Sequence, residues 1–341
     1  MSRSVPARKP VLRYALAVAT ALIALAAAAG SATHAAAAAG YTSLPGITYV
    51  AGGTSAQTLD LYLPTGTSRP RPVIVYVHGG GWSGGSSSEL QGMAGWQSFL
   101  SAGFALASIN YTSSSTRVFP QQIFDVKSAI RFLRANAARY GLSNRIGIWG
   151  GSAGGQLAAL AGTSCGVASL EGDQGVRTGS SCVQAVVDVV GPTDFLQMDS
   201  HLLNSSAMQH NPASSPESRY LGCTEGLLAC PVAVVQRANP ITYISRSRVQ
   251  PPFLIAHGDA DSAVPHWESE ILFTALSRAC ADVSFHSLKG QDHFMSFSGA
   301  FDPPYPAQTV SSSRRCGPVA TAAGPPMSWA RIAAFFRSHL G

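Results

Sequence analysis

Two apolar periods alternate along this chain. In TLDLYLP (58–64), Leu59, Leu61 and Leu63 alternate with polar or aromatic neighbours, the pattern of a half-buried strand. PVIVYVH (72–78) is a continuous β-branched run, as expected of a strand covered on both faces, and GFALASINY (103–111) is similar. RIGIW (145–149), AVVDVVG (185–191), PPFLIAHG (251–258) and DVSFHSL (282–288) repeat the strand signal. Between them the period lengthens. FDVKSAIRFLRANAARYG (124–141) puts Val126, Ile130, Leu133 and Ala137 on one helical face, with Gly141 just past its end. QLAAL (156–160) reads as helix, and SWARIAAFFRSHL (328–340) closes the chain with Trp329, Ile332 and Phe336 facing inward. Strands alternating with helices predict an α/β fold, a mostly parallel central sheet with helices on both faces. Such sheets collect function at the carboxyl ends of their strands. Two segments, at about 192–250 and 294–326, are rich in Ser, Pro and Gly and read as irregular rims or lids.

Composition narrows the class. A hydrophobic fraction of 46% against 12% charged residues excludes a disordered polar chain. The formal charge of +6 is misleading, because Arg3, Arg8, Lys9 and Arg13 precede an apolar run and no acidic residue occurs before position 41. Without that leader, 19 basic residues face 17 acidic ones, about +2. No basic run with interleaved aromatics points to nucleic acid. The leader is a basic segment, then YALAVATALIALAAAA, then small residues, which reads as a secretory signal peptide over 1–39 with the catalytic domain at 40–341. After cleavage no membrane association is expected. The heavy use of Ala and Arg, with only three lysines, fits a GC-rich bacterial genome, and a bacterial origin leaves the N-Y-T and N-S-S sequons at 110 and 204 unused. Export in turn makes the six cysteines disulfides rather than metal ligands, and proximity suggests Cys165 with Cys182, Cys223 with Cys230 and Cys280 with Cys316.

The chemistry starts from GIWGGSAGGQLAAL (147–160), which crowds glycine around Ser152 where a strand ends and a helix begins. Glycine inside either element costs about 0.5–1 kcal/mol relative to alanine, so the backbone must turn sharply here. Gly150 to Gly154 fit G-x-S-x-G in the strand-turn-helix context that motif needs. A serine hydroxyl becomes a useful nucleophile only when a base takes its proton. HGGGW (78–82) follows a buried strand with unshielded backbone N–H groups suited to an oxyanion. HGDADSAVP (257–265) offers Asp259 or Asp261 to orient a base, and KGQDHF (289–294) offers His293 as that base. The order Ser, Asp, His, each after a strand, is a recognised triad order.

From about residue 46 to the end, the chain resembles an α/β-hydrolase esterase of the hormone-sensitive-lipase-like group, nearest to secreted bacterial carbohydrate acetyl and feruloyl esterases. LDLYLP, VIVYVHGGGW, FDVKSAIRFLRANAARYGL, GGSAGG, PITYI, HGDADSAVP and GQDHF carry the resemblance. It implies Asp261 rather than Asp259 as the triad acid and His293 as the base. It also implies the N–H groups of Gly80, Gly81 and Ala153 as the oxyanion hole, with Gly79 shaping the turn. Two features depart from the group: no long N-terminal cap precedes the first strand, and NYTSSSTRVFP replaces a Y-R-L-A-P-E type stretch. An open site for a bulky or polymeric substrate is the expectation.

The remaining residues are read more plainly. His78 is expected to anchor the glycine loop, His257 to play a structural part at its strand end, and Asp292 to be an exposed loop carboxylate. Phe294, Phe297, Phe301 and Tyr305 either line an acyl pocket or pin a long loop. No metal or cofactor is called for. The expected partner is an ester substrate, acetyl or feruloyl on plant polysaccharide. Alternatives are a general short-chain carboxylesterase or lipase, a prolyl-oligopeptidase-like peptidase, for whose propeller there is no room, and a non-catalytic binding protein on the same scaffold.

Overall fold

The computed structural model describes residues 40–67, 70–296, 301 and 308–341, so the leader lies outside the described residues. Among the described residues ten strands form one sheet: β1 (Tyr41–Thr48), β2 (Thr58–Pro64), β3 (Arg71–Val77), β4 (Ala105–Ile109), β5 (Leu142–Gly151), β6 (Ala185–Val189), β7 (Phe253–Gly258), β8 (Val283–Leu288), β9 (Gln308–Ser313) and β10 (Ala320–Ala323). Their order is β1-β2-β4-β3-β5-β6-β7-β8-β9-β10. From β4 to β8 every neighbour pair is parallel. Two antiparallel strands extend each edge. The helices are α1 (Glu89–Gly92), α2 (Ser98–Ser101), α3 (Gln121–Ala135), α4 (Ala137–Tyr140), α5 (Ala153–Thr163), α6 (Pro216–Leu221), α7 (Val232–Ala238), α8 (Trp267–Arg278) and α9 (Trp329–Leu340).

Alternation along the strands sorts the core into two layers. Val73, Val75 and Val77 of β3 pack with Ile123 and Ile130 of α3, Leu157 of α5 and Leu272 of α8. Ile74 and Tyr76 point the other way, toward Phe99 of α2 and Trp329 and Phe336 of α9. Helices therefore cover both faces, as the continuous apolar runs require. Every residue of α5 is buried, so the helix that follows Ser152 is held on all sides.

The structure departs from the sequence expectations in several places. β1 was not anticipated: most of it is exposed, and its pairing slips between Leu44 and Ile47, around Pro45 and Gly46. The long helix breaks at Asn136, and Gly141 then ends α4 in the left-handed region at φ 64°. The segment 192–250 is not wholly irregular, since it holds α6 and α7. Likewise β9 and β10 lie in the stretch read as a rim, on an edge where Ser, Thr and Ala need no apolar period. The three disulfides join Cys165 to Cys182, Cys223 to Cys230 and Cys280 to Cys316, the pairs that proximity suggested. Among the described residues, no helix is long and apolar enough to cross a membrane.

Candidate active site

Ser152 sits between β5 and α5 with φ 55° and ψ −125°, a backbone that costs an ordinary residue about 1–3 kcal/mol. Its N–H donates to the Val189 carbonyl at 2.8 Å, and its carbonyl accepts from the Gln156 N–H at 3.0 Å. Neighbouring glycine makes the turn possible. A Cβ on Gly154 would stand 2.1 Å from the Val77 carbonyl oxygen and 2.5 Å from that of His78. Helix α5 can therefore begin against the end of β3, which brings Ser152 beside the HGGGW loop.

In that loop Gly80 and Gly81 take φ 92° and 57°, backbone that favours glycine. Trp82 ties the loop down. Its indole N–H donates to Gln156 Oε1 at 2.9 Å, its ring stacks on Tyr220 at 4.4 Å, and Gln156 donates onward to the Ala238 carbonyl at 2.7 Å. His78 is buried and stacks on Tyr111 at 4.1 Å, and its Nδ1–H donates to the Gly79 carbonyl at 2.9 Å. Burial pushes its pKa down to about 4, so the ring is neutral at ordinary pH. The Tyr111 hydroxyl donates to the carbonyls of His78 and Gly79 at 3.2 and 3.1 Å. A cavity of about 460 Å³ adjoins this loop through Ser83 and is bordered by Ser114, Arg219 and Thr224.

The loops after β7 and β8 bring the other two groups to Ser152. His293 Nε2 lies 2.9 Å from Ser152 Oγ, and His293 Nδ1 lies 2.7 Å from Asp261 Oδ2. Asp261 Oδ1 accepts the N–H groups of Ala263 and Val264, both at 2.8 Å. Burial works against the Asp261 carboxylate, but the donors from His257 and His293 more than offset it and hold its pKa well below the carboxylate range. With its imidazole neutral, His293 therefore has one arrangement beside the ionised Asp261: Nδ1–H donates to Asp261, and Nε2 accepts from Ser152.

Asp259 is not part of this line. It is exposed, and its Oδ1 accepts the Gly290 N–H at 2.6 Å. It thus helps to tie the two loops together, as does the Ala260 N–H on the Gln291 carbonyl at 3.0 Å. A Cβ on Gly258 would meet that same Gln291 oxygen at 2.1 Å, so glycine lets the histidine loop close on the aspartate loop. Asp292 is exposed and caps its own turn by accepting the Phe294 N–H at 3.0 Å. Phe294 is 65% exposed beside His293. Phe301 is buried and meets Trp329 edge-on at 5.2 Å. Phe297 and Tyr305 lie outside the described residues. Among the described residues, no group of His, Cys, Asp and Glu is placed to hold a metal ion.

Three contributors went unrecognised in the sequence: Tyr111 and Gln156, which brace the HGGGW loop, and Ser269 behind His257. Gln156 left a trace, as the one polar side chain in an otherwise apolar helical run. His257, expected to play a structural part at its strand end, is buried there with its Nε2 3.2 Å from Asp261 Oδ2.

A parallel sheet with helices on both faces, carrying these loops at the carboxyl ends of its strands, is an α/β-hydrolase fold. Solved structures agree. A truncated form of a carbohydrate esterase from gut microbiota is 33% identical with a TM-score of 0.70, covering 78% of this chain and 93% of that one. A bifunctional GH43-CE protein of Bacteroides eggerthii has the same identity and TM-score over 88% of this chain and 35% of its own. The BD-FAE family model matches residues 59–276, and the chain belongs to that family. Esterase LipQ of Mycobacterium tuberculosis is 31% identical over 246 residues, 71% of this chain. The chain spans 55% of LipQ.

Proposed function

We propose that the protein is a secreted serine carboxylic ester hydrolase that works through Ser152, His293 and Asp261. The observation that carries this reading is the line of two hydrogen bonds, 2.7 and 2.9 Å, from Asp261 through His293 to a serine on a strained turn. His293 takes the Ser152 proton as Oγ attacks the ester carbonyl, and Asp261 stabilises the imidazolium that forms. The oxyanion is received by the N–H groups of Gly80, Gly81 and Ala153, the last being the first residue of α5. The alcohol leaves with the proton from His293, and water then releases the acid from Ser152 by the same base. No cofactor enters these steps.

Acetyl or feruloyl esters of plant polysaccharide are the proposed substrates. Support comes from the sequence resemblance and from two structural neighbours whose names include carbohydrate esterase or CE. Export is supported by the leader and by the three disulfides.

The test is kcat/KM on aryl acetate, longer aryl esters, methyl ferulate and acetylated xylan, with Ser152→Ala as control. The expected result is preference for acetate or ferulate esters and a loss of about 10⁶ in kcat for the variant. Equal inertness of both proteins on every ester overturns the esterase reading. Activity confined to longer aryl esters overturns only the carbohydrate assignment.

A further inference from the structure

Behind the triad stands a second imidazole. His257 and Ser269 are both fully buried. His257 Nε2 lies 3.1 Å from the Val264 carbonyl oxygen and 3.2 Å from Asp261 Oδ2. Neither a carbonyl nor an ionised carboxylate has a proton to give, so Nε2 bears the hydrogen and shares it between them. In the neutral ring Nδ1 is then an acceptor, and its partner at 2.7 Å is the Ser269 hydroxyl. The two acceptors at Nε2 thus set the tautomer, and the Ser269 hydroxyl, donating to Nδ1, holds the ring with its N–H toward Asp261. Burial keeps the ring from taking a second proton, against the pull of Asp261. The other titratable groups facing it are His266, whose ring lies at 5.5 Å and is itself 3.1 Å from Glu270, and His293 on the far side of Oδ2.

We propose that His257 is a positioning residue: its Nε2–H, oriented by Ser269, steadies Asp261 Oδ2 and limits how basic that carboxylate makes His293. The inference rests on the triad assignment proposed above. Oδ2 receives two imidazole N–H groups, and each draws charge from it. With the His257 donor gone, more charge faces His293, its imidazolium is favoured, and the base holds its proton to higher pH. Oδ1 stays held by Ala263 and Val264, so the carboxylate remains near its place.

The experiment compares pH profiles of kcat/KM on aryl acetate for wild type, His257→Phe, His257→Gln and Ser269→Ala, whose acid limb reports the free base. Phenylalanine keeps the ring volume without the donor, and the glutamine amide can restore it. His257→Phe is expected to raise the acid limb by about half a pH unit or more and to lower kcat with KM near wild type, while His257→Gln recovers most of both. A folded His257→Phe with an unmoved acid limb, or with a changed KM and unchanged kcat, overturns the proposal. If His257→Phe does not fold, Ser269→Ala is decisive: freeing the ring to swing away from Oδ2 should move the limb the same way by less, and an unmoved limb overturns the proposal. An active Ser152→Ala control defeats the triad reading itself. An inert control with unmoved limbs defeats only the role of His257.

Discussion

Two strands of the parallel sheet end in the same dipeptide, His78-Gly79 after β3 and His257-Gly258 at the end of β7. Both imidazoles are buried, and burial drives both toward the neutral form. Their tasks diverge with what the rings meet. His78 lies flat against Tyr111 and gives its N–H to a backbone carbonyl, so it shapes the HGGGW loop. His257 meets a carboxylate and bears on charge. Two residues of sequence at equivalent positions thus serve backbone geometry in one loop and electrostatics in the other, and only the tertiary partner decides which.

The largest effect should come from the acid of the second loop. Asp261→Asn is expected to lower kcat by about 10⁴, since an amide does not hold His293 in the needed tautomer. Asp259→Asn, two residues away, should stay within about twofold, because its carboxylate only accepts a loop N–H. Steady-state kinetics of the pair decides the assignment, and comparable losses from both would undo it. Next in size is Gly258→Ala. The added Cβ meets the Gln291 oxygen at 2.1 Å, so the histidine loop must retreat. A displacement near 1 Å costs on the order of 10² in rate, and wild-type kcat in that variant would show that the loops are not so closely fitted.

His78→Phe tests the other half of the comparison. Phenylalanine can still stack on Tyr111 but loses the N–H to the Gly79 carbonyl. A loss of about tenfold in kcat is expected, below the 10²–10³ that follows outright removal of an oxyanion donor. The acid limb of the pH profile should not move, in contrast to His257→Phe. A moved limb would mean that the two histidines are not doing different work.

The same contrast explains what could be read from the sequence. The central strands were legible because runs such as PVIVYVH admit few other environments, and the serine turn was legible because its glycines answer close backbone approaches. Asp261 and His293 followed from motif order and resemblance, and the structure brings both to Ser152. Helix α8 was not anticipated, although Leu272, Phe273 and Leu276 have helical spacing, because its first turn, with Glu268, Ser269 and Glu270, is polar. β9 and β10 had no apolar period to read. The parts played by Tyr111, Gln156 and Ser269 are partnerships across 33, 74 and 12 residues, and no local pattern records them.

The smallest expected effect concerns stability rather than rate. Glu268, one residue into α8, is fully buried, with Oε2 accepting the N–H groups of Thr193 and Asp194 at 2.6 Å each. Burial raises its pKa from 4.5 to about 8 in spite of those donors, with the charges of Asp194 and Glu217 adding to the rise. The folded protein therefore keeps a proton that the unfolded chain releases above about pH 4.5, and stability falls as pH climbs from there toward 8. Asp188, raised to about 7 by burial, slopes the same way, so wild type alone does not isolate either group. Glu268→Gln does. Its amide cannot ionise, and the difference in Tm between variant and wild type should grow in the variant's favour between pH 5 and pH 8, by about 1–3 kcal/mol of stability. The amide N–H₂ would occupy the position of Oε1, which is buried without a hydrogen-bond partner, so a constant penalty at all pH values is compatible with the idea. The slope is the diagnostic: a Tm difference that is the same at both pH values would mean that Glu268 is ionised in the folded protein, with kcat unchanged in either case.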